Sequence, residues 1–419
     1  MSLIAPPTED PGELFGHPQL WTDMATWHRR VAELRATHPV LAVERPEFEP
    51  FWVLTRHADV FAVSRDNDHW LNTTRSVLAP DAEWERLLAT GLPVPKTLVH
   101  LDSEEHRLHR QVTNDWFKPA AVKHRQPRID EIADVFVAKM RDLGGACDFA
   151  RDISQPYTLR VIMDIYGVPE EDEALMMELT QGLFGSADPE FMGEAENPEA
   201  KMLESVMRFV QYFNGITEDR RACPTDDLAS VIANGEVDGC PMGDLERLWY
   251  YIIVATAGHD TPSFALSGGM EALLREPDQL ERLHLAPELA GNAAEEMIRW
   301  TSPVRHFMRY ATQESEIHGA TIPEGGRVLL SYPSANRDEE VFGDSMRFDI
   351  NRPDADKLIS FGLGAHFCLG SQFARREVRT MVAKLGEQLA HIELAGEPEW
   401  SASHFVSGVK HLPVTYAFN

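Results

Sequence analysis

The chain has 419 residues, 43% of them apolar and 25% charged, which suits a globular protein whose core is large enough to enclose a big apolar ligand. Its 67 acidic residues against 39 basic ones give a net charge of −28, and that excludes a nucleic-acid binder, which needs basic surface. The four cysteines, Cys147, Cys223, Cys240 and Cys368, contain no C-x-x-C pair, which excludes a disulfide framework and suits a reducing compartment.

The start, "MSLIAPPTEDPGELFG", lacks the basic and apolar regions of a signal peptide. The longest apolar run, Leu248 to Gly258, is too short to span a membrane. A cytoplasmic protein without a membrane anchor is expected. Residues 40–55 read as two short strands around a Pro-containing turn, followed by a helix over "HADVFAVSRD". From Asn72 to His100 the chain reads as an irregular loop with one helical turn around "DAEWERLLA". Helical spacing runs from Ser103 to about Gln181, an acidic loop covers Phe184 to Ala200, and helices resume at Lys201.

Residues 244–275 read as one long helix of about 48 Å, stopped by Pro277. Its first half is apolar on every side, so it should run through the core. Inside it, Pro262 cannot donate to the carbonyl of Gly258, and its ring would clash there. The helix should therefore open at Gly258, leaving a carbonyl and a groove free. Asp260 and Thr261 lie in the same segment, and buried polar groups need partners or a task. A Thr hydroxyl bonded to its own helix is the plain alternative. Residues 308–332 look like short strands and turns, and 404–418 like a hairpin. The pattern is mainly α with a minor β-rich lobe, built from about 40–75, 308–332 and 400–419, in a single domain over 1–419.

The stretch "SFGLGAHFCLGSQFARRE" (360–377) places Cys368 between a Gly-rich loop and a helix start. A lone cytosolic cysteine is usually a small buried hydrophobe. A dinucleotide loop lacks its third glycine at Phe367, and a zinc site lacks ligands beyond His366. A fourth reading fits more of the residues. Gly362, Gly364 and Gly370 would let backbone approach a large flat ligand, and Phe361 and Phe367 add apolar surface. A helix beginning near Leu369 would aim its N–H groups at the sulfur and favour thiolate. A shielded thiolate is what an axial haem ligand needs.

The pattern F-x-x-G-x-H-x-C-x-G, here Phe361, Gly364, His366, Cys368 and Gly370, resembles the haem-binding loop of cytochrome P450, and the resemblance runs over nearly the whole chain. It implies the α-rich P450 fold, with haem b between the long helix and the cysteine loop, and Cys368 as axial iron ligand. A-G-x-D-T resembles the family's oxygen-binding groove. Asp260 and Thr261 would then deliver protons beside the carbonyl freed at Gly258. Pro262 stands where the family more often has a second Thr. Glu296 and Arg299 in "EEMIRW", with Arg352, resemble the family's buried Glu-Arg scaffold. His106 and Arg110, four apart on one helical face, resemble its propionate-binding pair, joined by Arg309 and His366. Ferric iron, porphyrin dianion and thiolate sum to zero, so two buried propionates would need those cations.

By family position the substrate pocket would include Ile253, Thr256, Ala257, Val304, Phe405 and Val406. Segments such as "FNGITEDRRACPTDDL" and "LLSYPSANRDEEVF" resemble the α-terpineol-hydroxylating branch. They imply a monooxygenase inserting one atom of O2 into a C–H bond of a monoterpenoid or alkylbenzene, with a steroid or polycyclic aromatic as the alternative. The basic residues His106, Arg107, His109, Arg110, Lys118, Lys123, His124, Arg125, Arg128, Arg375, Arg376 and Arg379 would lie on the haem's proximal side. They imply docking of an acidic ferredoxin with its NAD(P)H-dependent reductase. A peroxide-driven enzyme and a haem sensor are the rival readings. The intact Asp260–Thr261 pair weighs against the first and the basic face against the second.

Overall fold

Apolar spacing in the middle of the chain produces a stack of helices, and β-branched segments at its two ends produce small sheets. The structure, a computed structural model, describes residues 10–72, 75–91, 93–184, 188, 190 and 198–419. Its longer helices are α1 (Met24–Thr37), α2 (His57–Arg65), α3 (Asp81–Ala89), α4 (Ser103–Asn114), α5 (Gln126–Asp142) and α6 (Gln155–Tyr166). They continue as α7 (Glu173–Phe184), α8 (Pro198–Ala222), α9 (Asp244–Ala257), α10 (Asp260–Arg275), α11 (Pro277–Leu285), α12 (Ala290–Thr301) and α13 (Ser371–Gln388).

Every residue of α10 from Pro262 to Leu273 is buried. A helix buried on all sides must be packed on all sides. Here α6, α12 and α13 supply the walls. The expected single helix over 244–275 is thus two helices, α9 and α10, and the break falls at Gly258 and His259 as Pro262 requires.

The main sheet joins β1 (Val40–Arg45), β2 (Phe48–Leu54), β3 (Trp70–Leu71), β5 (His306–Ala311) and β6 (Arg327–Ser331) in the order β1-β2-β6-β5-β3. Only β2 and β6 run parallel within it. A second sheet joins β4 (Ala146–Asp148) and β7 (Leu389–Leu394) to either side of β10 (Pro413–Phe418). The last pair is β8 (Glu399–Trp400) with β9 (Val409–His411).

Two expectations need correction. The hairpin over 404–418 does not form, because β9 pairs with β8 while β10 pairs with β7 and β4. Leu412 alone separates the two strands, and one residue cannot reverse a chain. Its N–H and carbonyl instead bond Asp148 and Phe149. The segment 81–89 is also more than a single turn. Its Ala, Glu, Leu and Arg residues favour helix on propensity alone, and Asp81 and Glu83 sit at the favourable end of the dipole. None of its residues is buried, so no apolar face announced it. The acidic loop expected over 184–200 lies, apart from its ends, Asp188 and Glu190, outside the described residues.

Candidate active site

The cysteine loop is shaped by two residues in left-handed conformation, Gly362 (φ 64°) and Gly364 (φ 70°). At Gly364 a Cβ would also lie 2.5 Å from the Ser64 carbonyl oxygen, so the loop can pack on α2 only with glycine there. The Cys368 N–H donates to the Phe361 carbonyl (2.8 Å) and closes the loop. The Phe361 and Phe367 rings stand 6.3 Å apart at its rim. Gly370 then caps α13. Burial pushes the Cys368 thiol up, while the amides of Gly370 and Ser371 and the guanidiniums of Arg110 and Arg375 pull it down. Burial wins, so the thiol lies above its ordinary pKa despite these donors.

Cations gather beside this loop. Arg110 donates through Nη2 to the Phe367 carbonyl at 2.6 Å. The rings of His106 and His366 lie 4.1 Å apart, with His366 Nε2 3.6 Å from Asp102. Arg309 is 1% exposed, its Nε has no partner among the described residues, and its Nη1 donates to the Met308 carbonyl. Burial, then the neighbouring His366 and Arg110, push His106 down to about 3. Burial also lowers Arg309, against Tyr332 and Asp102, which raise it. With both imidazoles held neutral, the charge here is that of the Arg110 and Arg309 guanidiniums, and such cations in low dielectric call for anions.

At the helix break, Gly258 N–H still donates to the Val254 carbonyl (3.0 Å), His259 N–H tightens onto the Thr256 carbonyl (3.4 Å), and Thr261 Oγ1 donates to the Ala257 carbonyl (2.8 Å). Gly258 is required by close approach, since a Cβ there would lie 2.7 Å from Ile162 Cδ1 on α6. Thr158 Oγ1 donates to the His259 carbonyl (3.1 Å), and Ser154 Oγ to the Ser263 carbonyl (2.8 Å). Burial raises the Asp260 carboxyl, opposed by His259, whose Nδ1 lies 3.3 Å away. A carboxyl held up in this way can carry a proton closer to neutral pH.

Of the expected pocket residues, Ile253 and Ala257 share a face of α9. Thr256, three residues from Ile253, is buried, and its hydroxyl donates to the Ile252 carbonyl (2.7 Å). Val304 and Val406 form a β-bridge, and Phe405 stacks edge-on to Phe307. The scaffold set comes together. Arg299 meets Glu296 at 2.7 Å and Arg352 meets it at 3.0 Å, all three nearly free of solvent contact.

The sequence model of the cytochrome P450 family matches residues 288–397, which include the Glu296–Arg299 pair and the cysteine loop. The chain is 37% identical to cytochrome P450-terp of a Pseudomonas species over 95% of each protein. The chain belongs to the cytochrome P450 family. It is 34% identical to a steroid C26-monooxygenase of Mycolicibacterium smegmatis, over 82% of this chain and 86% of that one. A crystal structure of a P450 from Novosphingobium aromaticivorans superposes with a TM-score of 0.90 at 37% identity, covering 97% of this chain and 98% of that one. A Mycobacterium marinum P450 in complex with pseudoionone gives 0.87 at 30% identity, over 98% and 100%.

This P450 is a haem-thiolate monooxygenase, and its residues fit the family's haem. The loop offers one cysteine sulfur, two aromatic rings and close backbone. Arg110 and Arg309 supply guanidinium charge and His106 and His366 imidazole donors, with the Asp102 carboxylate beside Arg309 and both histidines. Two propionates would balance them. The basic face is weaker than its count suggests. Lys118 pairs with Asp115, Arg128 with Asp164, and Arg375 with Glu295. No helix among the described residues is long and apolar enough to cross a membrane. Three participants escaped sequence reasoning: Asp102 beside His366, Tyr332 beside Arg309, and His259 beside Asp260. Only His259 carried a signal, as a polar residue in an apolar helix.

Proposed function

We propose that this P450 hydroxylates an unactivated C–H bond of a small apolar substrate of the monoterpenoid or alkylbenzene class, using haem b held by Cys368 and electrons from a ferredoxin. The observation that carries the haem placement is the buried Arg309 guanidinium with the paired His106 and His366 imidazoles beside a glycine-shaped cysteine loop. Bound there, haem would supply the redox chemistry by which O2, two electrons and two protons yield one oxygen atom in the substrate and one molecule of water.

The chain's own residues bind, orient and move protons. Cys368 Sγ is held by the Gly370 and Ser371 amides. Arg110 and Arg309 hold the propionates. Asp260 Oδ1 takes and gives protons, its carboxyl raised by burial. Thr261 Oγ1, bonded to the Ala257 carbonyl, turns from it to pass a proton onward. Ile253, Ala257, Val304, Phe405 and Val406 exclude water and hold the substrate by shape. Glu296, Arg299 and Arg352 act as scaffold. The chain forms one domain, with the β-rich lobe as a minor part. Basic residues on the cysteine-loop side steer an acidic ferredoxin, an encounter that salt weakens.

Similarity to P450-terp and to the pseudoionone-bound neighbour supports the substrate class. Similarity to the steroid C26-monooxygenase favours a second reading, a steroid. An optical titration of the ferric holoprotein with α-terpineol, p-cymene, a polycyclic arene and a steroid decides between them. A tight low-to-high-spin shift with the small terpenoids supports the first reading. A shift with the steroid or arene alone transfers the chemistry to that class. The haem placement has its own test: Arg309→Leu should release haem to apomyoglobin faster with unchanged far-UV circular dichroism. Equal retention refutes its propionate role.

A further inference from the structure

Five guanidiniums, those of Arg35, Arg299, Arg305, Arg337 and Arg352, cluster around Glu296, and carboxylates do not reach all of them. Arg35 pairs with Glu339 at 2.6 Å, while Arg299 and Arg352 share Glu296, with Asp354 3.6 Å from Arg352. Among the described residues, Arg305 and Arg337 find carbonyls instead. Arg305 donates to Thr301 (2.7 Å), Ser302 (3.1 Å) and Ser407 (3.0 Å), and Arg337 to Trp300 (2.8 Å). Asp338, next to Arg337 in sequence, turns its carboxylate to the His57 and Glu340 amides. Arg305 is 0% exposed and Arg337 2%. A guanidinium keeps its proton inside a protein, so two buried positive charges stand here without a carboxylate. Buried charge is strongly destabilising unless an anion compensates it.

The unpaired donors of this region lie together. Arg305 Nε, Arg337 Nε and Nη1, Trp21 Nε1 and His28 Nε2 are all shielded from solvent, with no hydrogen-bond partner among the described residues. The Arg305 guanidinium lies 5.2 Å from the centre of the Trp21 ring. Trp21 packs on Trp27 at 4.4 Å, and Trp27 meets the His28 ring edge-on at 5.1 Å. Burial lowers His28 most, and the charges of Arg337 and then Arg305 lower it further. Water could satisfy some of these donors, but it brings no charge to offset two guanidiniums. The free N–H groups come from four side chains. That suits a small spherical ion better than a flat carboxylate, which prefers two parallel N–H groups of one guanidinium.

We propose that Trp21, His28, Arg305 and Arg337 hold a small inorganic anion of the halide class. The ion fastens the Pro18–Thr22 turn and α1 to the start of β5 and to the segment after β6. It offsets one of the two charges, and the carbonyl dipoles around Arg305 and Arg337 carry the rest. The site is independent of the haem placement and of the substrate.

Bromide is the probe, because its anomalous scattering locates it. Crystals of the holoprotein grown with bromide as the sole halide should show an anomalous peak within hydrogen-bonding reach of Trp21 Nε1 and Arg305 Nε. Water density without anomalous signal there overturns the proposal. In solution, an ion bound only by the folded chain raises stability as RT ln(1 + [L]/Kd). The urea midpoint of the holoprotein should therefore climb with bromide while gluconate holds the ionic strength constant. Trp21→Phe keeps the ring and removes one N–H, and it should raise the half-saturating bromide concentration by about tenfold. Arg337→Met should abolish the dependence; if that variant does not fold, Trp21→Phe decides alone. A midpoint indifferent to bromide, or a dependence that Trp21→Phe leaves unchanged, refutes the site. So does an equal rise with sulfate, which would mark a general salt effect on burial.

Discussion

Replacing Glu296 by Gln should be among the most damaging isosteric changes in this protein. Glu296 is fully buried and accepts from Arg299 Nε (2.7 Å) and Nη2 (2.8 Å), from Arg352 Nε (3.0 Å) and from the Asp349 N–H (2.9 Å). One carboxylate thus faces two guanidiniums, whose remaining N–H groups reach carbonyls of Asn336, Ser345, Asp344 and Arg347. Gln preserves the volume but removes the charge that both guanidiniums share, leaving Arg352 only Asp354 at 3.6 Å, and turns an NH2 toward a guanidinium. Leaving buried charge uncompensated costs about 3–5 kcal/mol, a large part of a total that is typically about 5–15 kcal/mol. Arg352→Met should cost less. It removes more hydrogen bonds, yet it leaves Glu296 and Arg299 as a neutral pair. Urea unfolding of both holoproteins, followed by far-UV circular dichroism and Soret absorbance, ranks them. If Arg352→Met is the more destabilising, charge balance is not what the site needs, and the ties to carbonyls are.

Thr261→Ala should uncouple electron use from product, raising peroxide formed per NADH consumed; unchanged coupling would remove the hydroxyl from the proton path. Gly258→Val should lower stability by about 1–3 kcal/mol, because its side chain meets Ile162 at the break. Ile162→Ala in the same chain should recover part of that in a thermal melt. A pH-dependent clasp joins His411 to Asp148 (2.5 Å) and Glu190 (2.9 Å), and Lys410 to Asp188 (3.0 Å). Burial would lower His411, but its hydrogen bonds to Asp148 and Glu190 raise it overall, so its contribution is full below about 6.5 and fades as pH rises through the raised value. Burial raises Glu190 and Asp188, but their bonded partners lower them overall, so theirs is full above about 4.5 and fades in acid. Hydrogen exchange at the Leu412 and Ala402 amides, which bond Asp148 and Asp188, should be slowest relative to intrinsic rates between those limits, and His411→Phe should remove the alkaline arm.

What the sequence reveals here is local chemistry. The cysteine loop is contiguous, so its spacing is its geometry. Glu296 and Arg299 share a helix turn, and Pro262 carries its steric conflict to Gly258, four residues away. What stays hidden depends on distant chain. Asp102 is 264 residues from His366, and Tyr332 meets Arg309 only because β6 ends beside β5. The C-terminal strands fail as a hairpin for the same reason, since each finds a partner elsewhere. Even at Cys368 the helix start is legible, yet the burial that outweighs it is a property of the folded core.

The break between α9 and α10 shows how the two kinds of information combine. Pro262 removes one donor, which would by itself allow a simple kink. The neighbouring helix does more. Ser154, Thr158 and Ile162 recur every fourth residue, and each touches the break: Ser154 at the Ser263 carbonyl, Thr158 at the His259 carbonyl and Ile162 against Gly258. Two of these contacts satisfy carbonyls at the break, and the third needs the missing side chain of Gly258. The opening is therefore templated from α6 as much as it is written in α10. An opening held from both sides in this way is what the roles proposed for Thr261 and Asp260 would require.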